Sequence, residues 1–193
     1  MKRLFISIPI EEKWGKVFED YRAPMGELDW LRWDPLLKLH VTVLFLGATD
    51  DELIPEIEDA LADIAAAQKP FALTLEKITY APEKERANIV WARWKDQPEF
   101  ATLSARTREE LSYIVGKVDS MPAKPHTTLA RFNKKVKSPK ELIHLKHTEH
   151  EGETMDVKEI LLMESAMTAS GSIFKVLSIH KLGESAEPFE VVS

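Results

Sequence analysis

The sequence predicts an α+β fold. Two observations point there. Short runs of β-forming residues are interleaved with longer stretches whose apolar residues recur at helical spacing. The strands also come both as hairpins and as β–α–β steps, so the pattern is not the strict alternation of a doubly wound parallel sheet. The chain has 193 residues, of which 44% are hydrophobic and 30% charged. That is enough apolar material for a packed core, in one domain or two closely packed lobes.

Residues 4–8 read as a first strand. Residues 11–21 follow as a helix, with Trp14, Val17, Phe18 and Tyr21 on one side, closed by Pro24 and Gly26. Trp30, Leu31 and Trp33 make an apolar approach that Pro35 breaks. Residues 40–46 are a strand stopped by Gly47. A helix begins after Thr49, Asp50 and Asp51, whose acidic groups suit the positive end of its dipole. Leu53, Ile54, Ile57, Leu61 and Ile64 give it an apolar stripe, and Pro70 ends it. Residues 71–80 and 89–94 form a hairpin across a charged turn at 82–86, with Phe71, Leu73, Leu75 and Lys77 sharing a face of the first strand. Pro98 opens a long helix to about Val115. Pro122 and Pro125 give an extended approach to a strand over 127–132. A basic, polar stretch runs to about Glu153. Two more strands, 157–163 and 173–179, flank a turn at Ser170-Gly171-Ser172.

Composition narrows the chemistry. The absence of cysteine excludes disulfides, thiolate catalysis and cysteine-ligated zinc. A net charge of −6 argues against general nucleic-acid binding, which rests on neutralising phosphates. Between Lys124 and Lys146 the balance reverses, with Arg131, Lys134, Lys135, Lys137 and Lys140 close together. Such a patch can serve a phosphate site on an acidic protein, or be a solvated loop. No apolar run approaches the ~20 residues of a membrane span. Residues 1–9 are too short in their apolar run for a signal peptide. A cytoplasmic protein without a membrane partner is the expectation.

One pattern recurs: His40-Val41-Thr42-Val43 and His126-Thr127-Thr128-Leu129, each at the start of a strand after a proline-containing approach. Side chains alternate along a strand, so His40 and Thr42 share a face, as do His126 and Thr128. Two such strands side by side would present two imidazoles and two hydroxyls to one groove. That set suits a phosphodiester. Opening a cyclic phosphate needs one group to deprotonate water and another to protonate the departing oxygen. Imidazole, with an ordinary pKa of about 6.5, serves either role, and spacing alone permits either histidine in either one. The threonines can donate to the non-bridging oxygens. No metal or other cofactor is needed.

The chain resembles the two-histidine phosphoesterase superfamily, and within it the RNA 2′,3′-cyclic phosphodiesterases, historically called 2′-5′ RNA ligases. Three blocks carry the resemblance: Arg3-Leu4-Phe5-Ile6-Ser7-Ile8, Leu39-His40-Val41-Thr42-Val43-Leu44-Phe45-Leu46-Gly47 and Pro125-His126-Thr127-Thr128-Leu129-Ala130-Arg131. It implies two pseudo-symmetric lobes, each an antiparallel sheet flanked by helices, around a central cleft. Residues 1–183 would be that single bilobal domain and 184–193 a tail. It also implies that His40 protonates the leaving 3′ oxygen and His126 activates water, giving a 2′-phosphomonoester. Thr42, Thr128 and Arg131 match phosphate-contacting positions. Strict alternation turns Arg131 away from His126, so a phosphate contact there needs a bulge or a strand end. Phe45 falls on the core-facing parity.

The expected partner is RNA with 2′,3′-cyclic phosphate ends, tRNA fragments included, acted on by a monomer. ATP-independent ligase activity is compatible with the resemblance. Two alternatives stand: a phosphodiesterase for small cyclic nucleotides or ADP-ribose cyclic phosphate, and a non-catalytic RNA-binding domain. His144, His147 and His150, with Glu141 and Glu149 nearby, raise a metal site against a solvated loop, and the loop is favoured because their period fits neither strand nor helix. His180 is expected at the surface or in the core. The five tryptophans, at 14, 30, 33, 91 and 94, could stack a base but read mostly as core, with Trp33 and Phe45 weak substrate-side candidates.

Overall fold

The computed structural model describes residues 1–82, 87–133, 142–168 and 171–184. Its elements are β1 (Lys2–Pro9), α1 (Glu12–Arg22), β2 (Leu31–Trp33), β3 (His40–Thr49), α2 (Ile54–Ala67), β4 (Phe71–Ala81), β5 (Ile89–Trp94), α3 (Pro98–Val115), β6 (His126–Phe132), β7 (Thr154–Val157), β8 (Glu159–Thr168) and β9 (Gly171–Lys181). Every strand pairing among the described residues is antiparallel.

The strands lie in the order β7-β4-β5-β6-β3-β1-β8-β9, with β2 added against β6. At the middle of that path β3 and β6 are joined at one registered pair, Val41↔Thr127. The strands on either side of this seam form two lobes. In one, β1, β3, β8 and β9 are covered by α2 and α3; in the other, β2 and β4–β7 carry α1. The two-lobed α+β architecture expected from the resemblance is what the chain adopts.

The packing follows from the apolar stripes. Ile57, Leu61 and Ile64 of α2 are fully buried. Trp14 of α1 meets Trp94 of β5 edge to face, centroids 5.0 Å apart, and Phe18 packs beside them. The Trp94 indole also donates to the buried Thr127 Oγ1 at 3.1 Å, pinning β5 to the strand that carries His126. Pro98 stands in the first turn of α3, where no backbone N–H is required, and Gly116 closes the helix at φ 75°.

Five local features differ from expectation. Gly47 does not stop β3, which runs on to Thr49 paired with β1. Residues 31–33 pair with β6 as a strand, too short to show a periodicity of their own. The stretch 157–163 is not one strand: β7 ends at Val157 beside β4, and β8 starts at Glu159 and runs beside β1, so the chain crosses between lobes at Lys158. β9 is longer than 173–179 at both ends. In β4 a register shift between Leu75 and Lys77 turns Lys77 outward and Ile78 and Tyr80 inward. The turn over residues 83–86, Lys134, Lys135, Lys137, Lys140, Glu141, Ser170 and the tail beyond Glu184 lie outside the described residues.

Candidate active site

Both His-x-Thr strands border the seam. The antiparallel pairing of Val41 with Thr127 brings His40 beside Thr128 and Thr42 beside His126. All four line one cleft of about 700 Å³. The intervening Val41 and Thr127 are fully buried on the opposite face and hold the strands in place.

Each strand then departs from alternation at the same step. Along β3 the register passes from Thr42↔Ser7 to Leu44↔Ile6, leaving Val43 unpaired. Along β6 it passes from Thr128↔Trp91 to Ala130↔Val90, leaving Leu129 unpaired. These are β-bulges at the same step of the motif strand in each lobe, and β3 carries a second one further along, where the register passes from Phe45↔Phe5 to Gly47↔Leu4 and leaves Leu46 unpaired. The bulged carbonyls are not wasted. Val43 O accepts from Ser104 Oγ of α3 at 3.0 Å, and Leu129 O accepts from the Asp34 N–H at 2.8 Å.

A bulge reverses which way the following residues face. Arg131 therefore points into the cleft with His126, as a phosphate contact requires, and Phe45 points into it with His40. The expectation that Phe45 faces the core is overturned: it is 53% exposed, while Val43 and Leu44 are both buried. Arg131 Nε donates to Asp34 Oδ2 at 3.2 Å.

The imidazoles are held alike. His40 Nδ1 lies 2.7 Å from Lys38 O, and His126 Nδ1 lies 2.7 Å from Lys124 O. A carbonyl can only accept, so Nδ1 carries hydrogen and, in the neutral ring, Nε2 keeps its lone pair. Protonated, the same Nε2 becomes a donor. Burial is the main influence holding both histidines below the usual imidazole range. The backbone hydrogen bonds work the other way in both. Arg131 lowers both further; Arg93 and His40 also lower His126, whereas Asp34 favours the charged form of His40.

Their ring neighbours differ. His40 sits between Phe5, tilted at 5.1 Å, and Phe174, edge-on at 5.3 Å. His126 stacks on Trp91 at 3.8 Å and 25°. Further cations line the cleft: Arg3, Arg32 and Lys38, the last donating to Ser172 O at 2.7 Å. Among the described cleft residues Asp34 is the single carboxylate against four Lys and Arg side chains, so the cavity attracts anions although the chain is acidic.

Asp34, Arg3, Arg32, Lys38 and Phe174 line the cleft without being singled out in the sequence, and Trp91 stands there although the tryptophans read mostly as core. Asp34 and Arg32 arrive through β2, and Phe174 through the β8–β9 hairpin, neither of which carries a motif. The other histidines stand elsewhere. His147 bonds Glu151 and His150 bonds Glu153, each at 3.0 Å, and His180 pairs with Ser178. Among the described residues no three His, Asp or Glu side chains converge in an arrangement able to hold a metal. No helix among them is long and apolar enough to cross a membrane.

Two antiparallel lobes that each present a His-x-Thr strand to a shared basic cleft define the two-histidine phosphoesterase class. Comparison with known proteins agrees. Residues 12–167 match the model of the 2′-5′ RNA ligase superfamily, and the chain belongs to that family. It is similar to an RNA 2′,3′-cyclic phosphodiesterase of Bacillus subtilis, 31% identical over 129 residues, which span 66% of this chain and 69% of that one. A protein of the same name from Archaeoglobus fulgidus is 24% identical over 93% of this chain and 99% of its own. Among solved structures, TT0787 of Thermus thermophilus superposes with a TM-score of 0.81 at 23% identity, over 95% of this chain and all of that one. E. coli LigT complexed with phosphate gives 0.74 at 20% identity, over 95% and 98%. At these identities the structures speak for the fold.

Proposed function

We propose that the chain hydrolyses 2′,3′-cyclic phosphate ends of RNA to 2′-phosphomonoesters by acid–base catalysis with His40 and His126. One observation carries the reading. Two matched imidazoles, each fixed through Nδ1 by the carbonyl two residues earlier, border one cationic cleft with a threonine beside each. The curated relatives named for this activity support it.

In this reading His126 Nε2 takes a proton from water, whose oxygen attacks phosphorus. The P–O3′ bond breaks, and His40 Nε2–H delivers its proton to the departing 3′ oxygen. Thr42, Thr128 and Arg131 donate to the non-bridging oxygens, where negative charge accumulates. Burial keeps His126 neutral at rest, as a base must be. An anionic substrate in the cleft favours the charged form of His40, as an acid must be. The assignment of acid and base follows the family; the geometry serves either. No step draws on a metal. The same ring opening with a 5′-hydroxyl in place of water would give ATP-independent 2′-5′ ligation.

A cleft built within one chain needs no second copy, and a monomeric cytoplasmic enzyme acting on RNA ends, those of cleaved tRNA among them, is the reading we adopt. The test compares an RNA oligonucleotide ending in a 2′,3′-cyclic phosphate with a cyclic mononucleotide, both in EDTA. A 2′-phosphate product with the oligonucleotide preferred in kcat/KM is expected. Faster turnover of the mononucleotide would point to a small substrate, and no turnover of either to an RNA-binding domain.

A further inference from the structure

The two histidines are matched in their backbone anchoring and unmatched in what offsets the charge around them. The groups from neighbouring elements that act on His126 are Arg93 of β5, His40 of β3 and Arg131 of its own strand, and each opposes a positive charge on it. Asp34, the residue after β2, which assists His40, is paired with Arg131 and is not among the groups acting on His126. From the approach to β6, Lys124 contributes its carbonyl to Nδ1. Both arginines are themselves paired with carboxylates, Arg93 with Asp96 and Glu76 and Arg131 with Asp34, and no ion pair joins a carboxylate of the described residues to His126.

What faces it is an aromatic plane. Trp91, opposite Thr128 on β5, lies against the imidazole at 3.8 Å and 25°, a stacked arrangement. The negative face of an indole attracts a cation, and does so more strongly away from water. The Trp91 Nε1 is buried without a hydrogen-bond partner among the described residues, so the ring is held by packing and not by its polar edge. His40 has no such plane: its phenyl neighbours are tilted and edge-on at more than 5 Å.

We propose that Trp91 is a positioning residue for the reaction, whose indole face, stacked on the imidazole, orients His126 and stabilises its protonated form. The inference rests on the reading of His126 as a proton carrier. It does not depend on which of the two histidines is acid and which is base.

The decisive experiment is an NMR titration of the His126 ring in the free protein, for the parent, Trp91→Phe and Trp91→Leu, with the His40 ring followed alongside. Indole, phenyl and aliphatic side chains attract a cation in descending order, so the His126 midpoint should fall from Trp to Phe to Leu, by about one pH unit overall. The smaller side chains also let in water, which acts in the opposite sense. A midpoint that stays fixed or rises from the parent to Trp91→Phe, where a ring still covers His126 and keeps water out, would overturn the proposal. Trp91→Phe keeps an aromatic ring beside His126 and supplies the comparison if Trp91→Leu does not fold. The titration needs no substrate, so its outcome is separate from that of the RNA assay. Where the enzyme turns over cyclic phosphate RNA, the limb of the kcat/KM profile belonging to His126 should move with the NMR midpoint.

Discussion

Phe45 and Arg131 occupy equivalent places in the two lobes, each five residues after its motif histidine and each turned into the cleft by a bulge two residues before it. One lobe thereby supplies an aromatic face and the other a guanidinium to the same cavity. For Arg131 the consequence is direct. Its Nε is oriented by Asp34, which leaves the remaining guanidinium donors for a phosphate oxygen. Arg131→Ala should lower kcat/KM about 100-fold or more, the scale for losing one donor to a developing anion. Arg131→Lys should recover little, since the ammonium lacks the planar fork. Asp34→Asn should have a smaller effect, of about tenfold. Steady-state kinetics on a cyclic phosphate RNA reads all three. The pair itself is half-exposed at Arg131, so these changes should move stability by less than about 1 kcal/mol.

The bulge in β3 makes a separate prediction about stability. Ser104 is buried and its hydroxyl is the side-chain donor to Val43 O. Ser104→Ala leaves that bulged carbonyl without its partner in the core and should cost about 1–2 kcal/mol, read as a lower midpoint in urea at unchanged slope. An unchanged midpoint would mean that the bulge is held by strand pairing alone.

These bulges also mark where the sequence stops being legible. His40, Thr42, His126 and Thr128 share a cleft as period-2 alternation predicts, because nothing interrupts the strand between each histidine and its threonine. Beyond that point alternation fails. A single extra residue is invisible in a run such as Val43-Leu44, where both neighbours are apolar, so alternation puts Phe45 on the wrong face and places Arg131 only conditionally. The helices were legible because the stripes of Ile57, Leu61 and Ile64 and of Trp14 and Phe18 span several turns. β2 was not, since three residues carry no period. The β7–β8 break at Lys158 was hidden for another reason: 157–163 is continuously apolar or β-forming apart from two charges, while its two halves pair at opposite ends of the sheet.

Stability should depend on pH in a definite direction. Burial holds His40, His126 and His180 below the ordinary imidazole value. Below about pH 6.5 the unfolded chain binds protons at these sites that the folded chain resists. Their contribution is therefore complete above that pH and is lost as pH falls through the lower folded values. Denaturation midpoints should drop between pH 7.5 and 5, and should drop less in a His40→Gln, His126→Gln protein. At the other extreme, burial pushes Tyr21 and Tyr80 up to about 12. Both phenols donate to the 142–146 segment, at Lys146 O and Ile143 O. Stability they confer is present below pH 10 and lost as pH rises from there toward 12, which Tyr21→Phe and Tyr80→Phe should blunt.

Arg3 and Arg32 line the cleft on strands β1 and β2 and make no ion pair with any described residue. If RNA is the substrate, each should meet backbone phosphate. Arg3→Ala and Arg32→Ala should weaken oligonucleotide binding and reduce the slope of log affinity against log salt by about 0.7 each. Binding of a cyclic mononucleotide should change little. Equal losses for both ligands would place these arginines at the reacting phosphate instead.

The most direct test of the two-histidine mechanism is hydrolysis of an RNA oligonucleotide ending in a 2′,3′-cyclic phosphate, in EDTA, by the parent, His40→Ala and His126→Ala proteins. Conversion to a 2′-phosphate end by the parent is predicted, with a loss of at least about 100-fold in each variant, the scale of removing a general acid or base. Turnover that survives in either variant would contradict it.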